Sequence, residues 1–407
     1  MKRHLGVLSI TMKRLIFIPL LLLSACEAVE SPTVESDPEV ENVQTDDKPN
    51  PPPAPPGFHE ALDTLKPLGK VSGSENLASL KVDISDGSFS ESLEYVKSKG
   101  SYALIVWQGG AIRHETYFAP HTADLRPDSA SMHKTVTALA IGAAIDKGLI
   151  PSVDEPVETY IAEWAGEERG KITIRNLLEM NSGLTPLSTE GGMSSPSMTF
   201  WFQGDKARPM MLDMTLKHEP GSVFNYANVN SQILGHVLEQ ATGQSYDSFL
   251  SENIWEPLGT ADAYVWYNET DGFPRTYTAL LAQARDWLKV GLLIKDKGQF
   301  NGQQIVSKDY MSKMITPSGT NPNYGWQTWL GTEFEAQRYY SESKTGFAAL
   351  ASEPFAVDDI IYLDGFGGQR VYISPSKNLV IIRTGNPAFD WDDSYVPNSV
   401  VKELSKN

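Results

Sequence analysis

The sequence predicts an α/β fold in which both ends of the globular part supply one sheet and a mostly helical domain is inserted between them. Three observations point there. Strand-like apolar runs occur at 101–118 and again at 359–385. The long segment between them reads as helices and loops, and no repeat or second linker interrupts the chain after about residue 57. With 407 residues and 41% apolar content there is material for a large core. The bounds read as 57–150 with 275–407 for the α/β domain and 151–274 for the helical insert.

A separable leader comes first. Met12-Lys13-Arg14, an apolar stretch and Leu23-Ser24-Ala25-Cys26 have the layout of a secretory signal over 1–25, too short to span a bilayer. Leu23 to Cys26 resembles the bacterial lipobox, in which the cysteine is lipidated and becomes the mature N-terminus. The other reading is an ordinary cleaved signal with an incidental cysteine, and Met12 can be the true start. Cys26 is the single cysteine, so no intrachain disulfide can form. The expected address is the bacterial cell envelope, with a lipid anchor at Cys26 holding the chain to a membrane and the protein facing the periplasm. Glu27 favours the outer membrane by the sorting rules of such lipoproteins. Residues 26–56 then read as a disordered tether. Eight acidic residues against Lys48, eight prolines and no aromatics cannot bury enough surface to offset the entropy of ordering.

Composition removes several function classes. A formal net charge of −17 argues against nucleic acid, whose phosphates need clustered Lys and Arg. The seven histidines are scattered, none lies in HExxH, and no Cys/His group has metal spacing, so neither a metal nor a cofactor is expected.

Along the globular part, 101–118 reads as a hairpin turned at Gly109-Gly110. Residues 131–150, SMHKTVTALAIGAAIDKGLI, read as a buried helix, and 172–184 as a short helix stopped by Asn181-Ser182-Gly183. Helices follow at 226–243 and 277–298, each closed by a glycine. The segment 359–385 holds two apolar runs divided by Ser374-Pro375-Ser376, and an amphipathic helix ends the chain.

The chemistry begins in the helix at 131. Ser131 and Lys134, three positions apart, share one face, so the amine can reach the hydroxyl. A lysine carried into an apolar setting loses affinity for its proton and becomes a usable base. Ser-x-x-Lys recurs at 341, 374 and 399, but only the first instance opens a long apolar helix. The bland alternative is an N-cap serine beside a solvated lysine. Tyr226-Ala227-Asn228 opens another helix. Its phenol can relay a proton, and its Asn can hydrogen-bond both the lysine and a substrate carbonyl; taken alone, the motif also reads as a packed tyrosine with a capping Asn. His133 reads as a packed helix residue, and the aromatic stretch 198–205 as either core or pocket lining.

SMHK, NLLEMNSGL, HEPGSVFNYANVNSQILGHVLEQATG and DGFGGQRVYISPSKNLVIIRTGN, in that order, resemble the serine β-lactamase-related hydrolases. These include class C β-lactamases, family VIII esterases and the 6-aminohexanoate-dimer hydrolase branch. The resemblance runs from about residue 95 to the end. It implies a β-lactamase/DD-peptidase-like fold, with an antiparallel sheet flanked by helices, and a serine acyl-enzyme mechanism. Carried over, Ser131 is the nucleophile, Lys134 its base, Tyr226 the proton shuttle and Asn228 a polar partner; Lys134 and Tyr226 both remain open as principal base.

The third motif departs from the β-lactamase pattern. Lys344-Thr345-Gly346 looks like the expected triplet but stands in the wrong place. The triplet ahead of the RVYISP strand is Leu363-Asp364-Gly365. GFGGQ resembles the dimer-hydrolase branch, which implies an oxyanion hole from the Ser131 and Phe366 N–H groups. Gly365, Gly367 and Gly368 are then expected to let substrate approach the strand edge. Leu363 supplies no charge for a substrate carboxylate, although Arg370 stands nearby, so neutral small-molecule esters or amides are favoured. GxSxG is absent. The expected function is a serine hydrolase acting on an ester or amide through an acyl-Ser131 intermediate. The alternatives are a penicillin-recognising carboxypeptidase or β-lactamase, and a catalytically inactive envelope-binding lipoprotein.

Overall fold

The computed structural model describes residues 54, 63–69, 80–83, 89–269, 271–341, 344 and 347–406. The leader, Cys26 and nearly all of the tether lie outside the described residues, as do Thr345 and Gly346. In chain order, strand β1 (Asp63–Leu68) and helix α1 (Ser90–Ser98) precede β2 (Ser101–Gln108) and β3 (Ala111–Tyr117). Then come α2 (His133–Asp146), α3 (Ile174–Leu178), α4 (Pro196–Phe202), α5 (Gly204–Leu212), α6 (Asn228–Thr242) and α7 (Tyr246–Leu250). Strands β4 (Ala263–Asn268) and β5 (Leu280–Leu281) lead to α8 (Ala284–Lys295), β6 (Gln299–Phe300), β7 (Gln303–Gln304) and α9 (Lys308–Met314). The last part holds β8 (Trp329–Leu330), β9 (Gln337–Tyr339), β10 (Ala348–Leu350), β11 (Ile361–Gly365), β12 (Gln369–Ser374), β13 (Leu379–Gly385) and α10 (Tyr395–Leu404).

The main sheet is antiparallel, with strand order β3-β2-β13-β12-β11-β8. The two chain ends therefore meet at its centre, where β13 pairs with β2. All seven residues of β13 and all six of β12 are buried, as a central strand covered on both faces requires. On one face the sheet residues Ile105, Val371, Ile373, Val380 and Ile382 join a core with α2, α6 and α8. On the other, Leu104, Val106, Tyr372 and Ile381 pack with α1 and α10.

Two sequence expectations need correction. The stretch 277–298 is helical only from Ala284; Leu280–Leu281 pairs with β4 instead, and Ala279 has φ 53°. The apolar run Leu280-Leu281-Ala282 suits a buried strand as well as a helix, so periodicity could not separate them. The first run of 359–385 is two strands, because Phe366–Gly368 turns the chain and pairs Asp364 with Arg370 across the ladder. A second sheet, β1-β4-β5, was not anticipated.

Candidate active site

Helix α2 is buried at every position from His133 to Ala144, so it is held on all sides by packing. Its N-terminal approach is a 3₁₀ turn, Ala130–Met132, rather than α-helix. Ala130 has φ 47°, a left-handed conformation that costs an L-residue roughly 1–2 kcal/mol. The half-buried Asp128 carboxylate accepts the Ala130 N–H at 2.7 Å and holds that turn in place. The result aims Ser131 away from the helix core and into a cleft of about 650 Å³, within the range of ligand pockets.

Lys134, 1% exposed, donates to Ser131 Oγ at 2.7 Å and to the Tyr277 carbonyl at 2.7 Å. The carbonyl is available because residues 277–283 are not helical. Tyr226 lies beside the Ser131 hydroxyl in the same cleft, and its ring centroid is 5.1 Å from the lysine nitrogen. The three residues expected to converge do so. Their proton affinities are driven apart. Burial pushes Lys134 well below the ordinary lysine value, and Asp364 opposes this only in part. Burial and then Asp364 push the Tyr226 phenol up, against the hydrogen bond from Ser131. Burial thus favours the uncharged amine and the intact phenol side by side.

Tyr226 is fixed by the segment after α3. Asn225 N–H donates to the Met180 carbonyl at 2.7 Å, and Tyr226 N–H to the Tyr340 carbonyl at 2.9 Å. Ser182 Oγ donates to Asn230 Oδ1 at 2.7 Å. A Cβ at Gly183, where φ is 76°, would sit 2.2 Å from the His218 carbonyl oxygen, so this turn can only be glycine. Gln327 ties three helices together: its carbonyl accepts from Thr135, its Oε1 from Ser231, and its amide donates to Leu177 and Leu178 carbonyls.

The cleft is also lined by Asn228, Asp364 and Phe366. Asn228 makes no hydrogen bond to Lys134; the Tyr277 carbonyl takes the place expected for it. Gly365 and Gly367, expected to let substrate approach, are not among the residues that line the cleft. A Cβ at Gly365 would lie 2.3 Å from the Ser129 carbonyl oxygen, and at Gly367 2.4 Å from Pro387 Cα. These glycines permit protein to approach protein. Lys344 is exposed and absent from the lining, consistent with a decoy triplet. His133 is packed as expected: buried, bonded to the Thr278 carbonyl and Tyr246 hydroxyl, and pushed down to about 4 by burial.

Behind Asp364 stands a buried charge cluster that sequence reasoning missed. Arg338 meets Asp364 at 2.6 Å and Asp393 at 3.0 Å; Arg370 meets the same two carboxylates at 2.6 and 2.7 Å. Tyr340 OH adds a 2.6 Å bond to Asp364. Burial pushes the Asp364 carboxyl up, but Arg370 and Arg338 outweigh it and hold the group below the usual range. Arg370 is 3% exposed and fully engaged, so it is not an open receptor for a substrate anion. Leu363 points into the apolar core. Asp364 and Arg370, equally spaced about Gly367, pair across the ladder and could have signalled half of the cluster; Arg338 and Asp393 had no signal.

A 6-aminohexanoate-dimer hydrolase of Paenarthrobacter ureafaciens is 27% identical over 301 residues, covering 72% of this chain and 73% of that enzyme. Protein flp of Staphylococcus aureus (strain COL) is 29% identical over 133 residues, 32% of this chain, and the match spans about a quarter of its length, 26%. A solved Bacillus anthracis protein assigned as a 6-aminohexanoate-dimer hydrolase superposes with a TM-score of 0.68 at 19% identity, covering 84% of this chain and 90% of that one. Residues 94–393 match the beta-lactamase family model, and with that span and this fold the chain belongs to the beta-lactamase family, as a hydrolase of its β-lactamase/DD-peptidase-like fold.

Proposed function

We propose that this hydrolase cleaves an ester or amide through an acyl-enzyme on Ser131. The observation that carries the reading is the hydroxyl–amine contact of 2.7 Å at a lysine stripped of solvent and without a carboxylate in contact. Ser131 Oγ attacks the carbonyl carbon while its proton passes to the neutral Lys134 amine. The negative charge on the carbonyl oxygen is received by the Ser131 and Phe366 N–H groups. As the tetrahedral adduct collapses, Tyr226 gives its proton to the departing oxygen or nitrogen and is reprotonated by way of Lys134. Water then repeats the sequence on the acyl-enzyme and frees Ser131. The opposite shifts of the two groups favour Lys134 as base and Tyr226 as donor.

Neutral substrates are favoured because the β11–β12 wall offers Leu363 in the core and an Arg370 already bound to two carboxylates. The assembled Ser131, Lys134 and Tyr226 support a working enzyme over an inactive envelope-binding protein, since packing requires none of the three together. Anchorage through a lipid on Cys26 is part of the same proposal, supported by the Leu23–Cys26 motif. Fluorophosphonate labelling, with a panel of short-chain esters, linear amides and cephalosporins, tests the reading. The expected result is a Ser131 adduct and ester or amide turnover that disappear in Ser131→Ala. Cephalosporin turnover without either would sink it.

A further inference from the structure

Few large apolar side chains stay exposed among the described residues, and three of them converge at one mouth. Phe347 is 42% exposed, Phe366 37% and Phe389 61%. Phe366 sits at the centre of a ring cluster, with centroids 5.6 Å from Trp201, 5.7 Å from Phe347 and 5.4 Å from Phe389. Phe347 also meets Phe389 at 6.4 Å and Tyr340 at 6.0 Å. Trp201, Phe347 and Phe366 line the same cleft as Ser131 and Tyr226. This face is therefore continuous with the reacting serine and is not a separate surface.

The cluster is also held in place. Ala388 N–H donates to the Gly367 carbonyl at 2.9 Å, and Arg383 Nη1 to the same oxygen at 3.1 Å. Gly367 packs so tightly on Pro387 that no side chain fits between them. The turn bearing Phe366 and the segment bearing Phe389 are thus clamped before any ligand arrives. A backbone fixed in advance loses little freedom on binding, and each ring carries a large apolar area. The lining also includes the polar residues Glu190, Lys217 and His218.

We propose that the Trp201–Phe347–Phe366–Phe389 cluster is a subsite for an aromatic or long-chain apolar substituent carried beside the scissile bond. This rests on the proposed hydrolase reading and adds the substrate class to it. Water leaves both the ring faces and the substituent on binding, which favours such esters over small ones at the level of kcat/KM.

The test compares p-nitrophenyl acetate with p-nitrophenyl phenylacetate and octanoate, and ethyl acetate with benzyl acetate, in the wild type, Phe389→Ala and Phe347→Ala. The expected wild-type preference for the larger member of at least one series is about tenfold or more. The variants are expected to lose most of that ratio while ethyl acetate turnover stays at the wild-type level. Equal ratios in all three proteins, or an equal loss on every ester, would overturn the subsite. A wild type with no turnover and no fluorophosphonate adduct would instead defeat the hydrolase reading. In that event tryptophan fluorescence titrated with 4-phenylbutan-2-one decides the subsite. A saturable change that weakens about tenfold in Phe389→Ala sustains it, and no saturable change removes it.

Discussion

Two buried ionic sites share one wall of the cleft and behave in opposite ways. At Lys134 an amine is buried with only hydroxyl and carbonyl partners, and burial lowers its proton affinity. In the Arg338–Asp364–Arg370–Asp393 cluster every charge faces two of opposite sign, and the neighbours favour the charged forms of Asp364, Arg338 and Arg370. The difference is compensation, not depth. Because two guanidiniums offset the two carboxylates, Asp364 stands near Lys134 without restoring its ammonium. Tyr226 and Tyr277 rings, His133 and Asp364 are the other titratable groups around the amine. Only Asp364 favours its charged form.

The largest effect is expected from removing the uncompensated amine. Lys134→Met should lower kcat by about 10²–10⁴-fold or more, read on the preferred ester. The same change should raise the urea midpoint. The sign follows from linkage: with a depressed folded-state value, the unfolded chain binds more protons between that value and the ordinary lysine range. Wild-type stability therefore rises with pH through that window, and Lys134→Met should flatten the rise. A destabilised variant would show that the amine is well compensated after all.

Breaking the compensated site should do the reverse. Arg338→Met leaves Asp364 and Asp393 short of a partner and should cost about 3–5 kcal/mol in urea unfolding. It should also move the acid limb of kcat to higher pH, because the freed carboxylate draws a proton back to Lys134. An unmoved limb would mean that Asp364 does not reach the amine.

Asp364→Asn tests the same coupling with the opposite sign. Removing the one anion that favours the ammonium should shift the acid limb to lower pH while ester selectivity is kept. The smallest change is expected where water already does the compensating. The exposed pair Lys313–Asp309, at 56% and 79% side-chain exposure, should lose about 0.3–0.5 kcal/mol in Lys313→Ala.

The same contrast explains what could be read from the sequence. Ser131 and Lys134 were legible because their pairing is local, three residues on one helix face. The 101–118 hairpin was legible because Gly109-Gly110 divides an apolar strand run from its return, and the observed strands flank those glycines. The charge cluster was not, because Arg338, Asp364, Arg370 and Asp393 come together only through strand register and a long return. Arg338 and Asp393 lie 55 positions apart. The role of Tyr277 was hidden for another reason: a backbone carbonyl bears no side-chain signature. Reading 277–298 as helix also assigned that oxygen to the wrong partner. Gly365 and Gly367 were singled out as special positions, and their small size admits the close contacts with Ser129 and Pro387, which the sequence did not show.

The placement of β13 between β2 and β12 carries a consequence for how the molecule is made. Arg383 Nε reaches Ser101 Oγ, 282 positions earlier, and the two chain ends are joined along seven register pairs. Contacts of such separation are slow to close and cannot form until the ribosome has released almost the whole polypeptide. A nascent chain that already contains Ser131 and Lys134 thus lacks the middle of its sheet, so premature, half-built hydrolase is ruled out by topology alone.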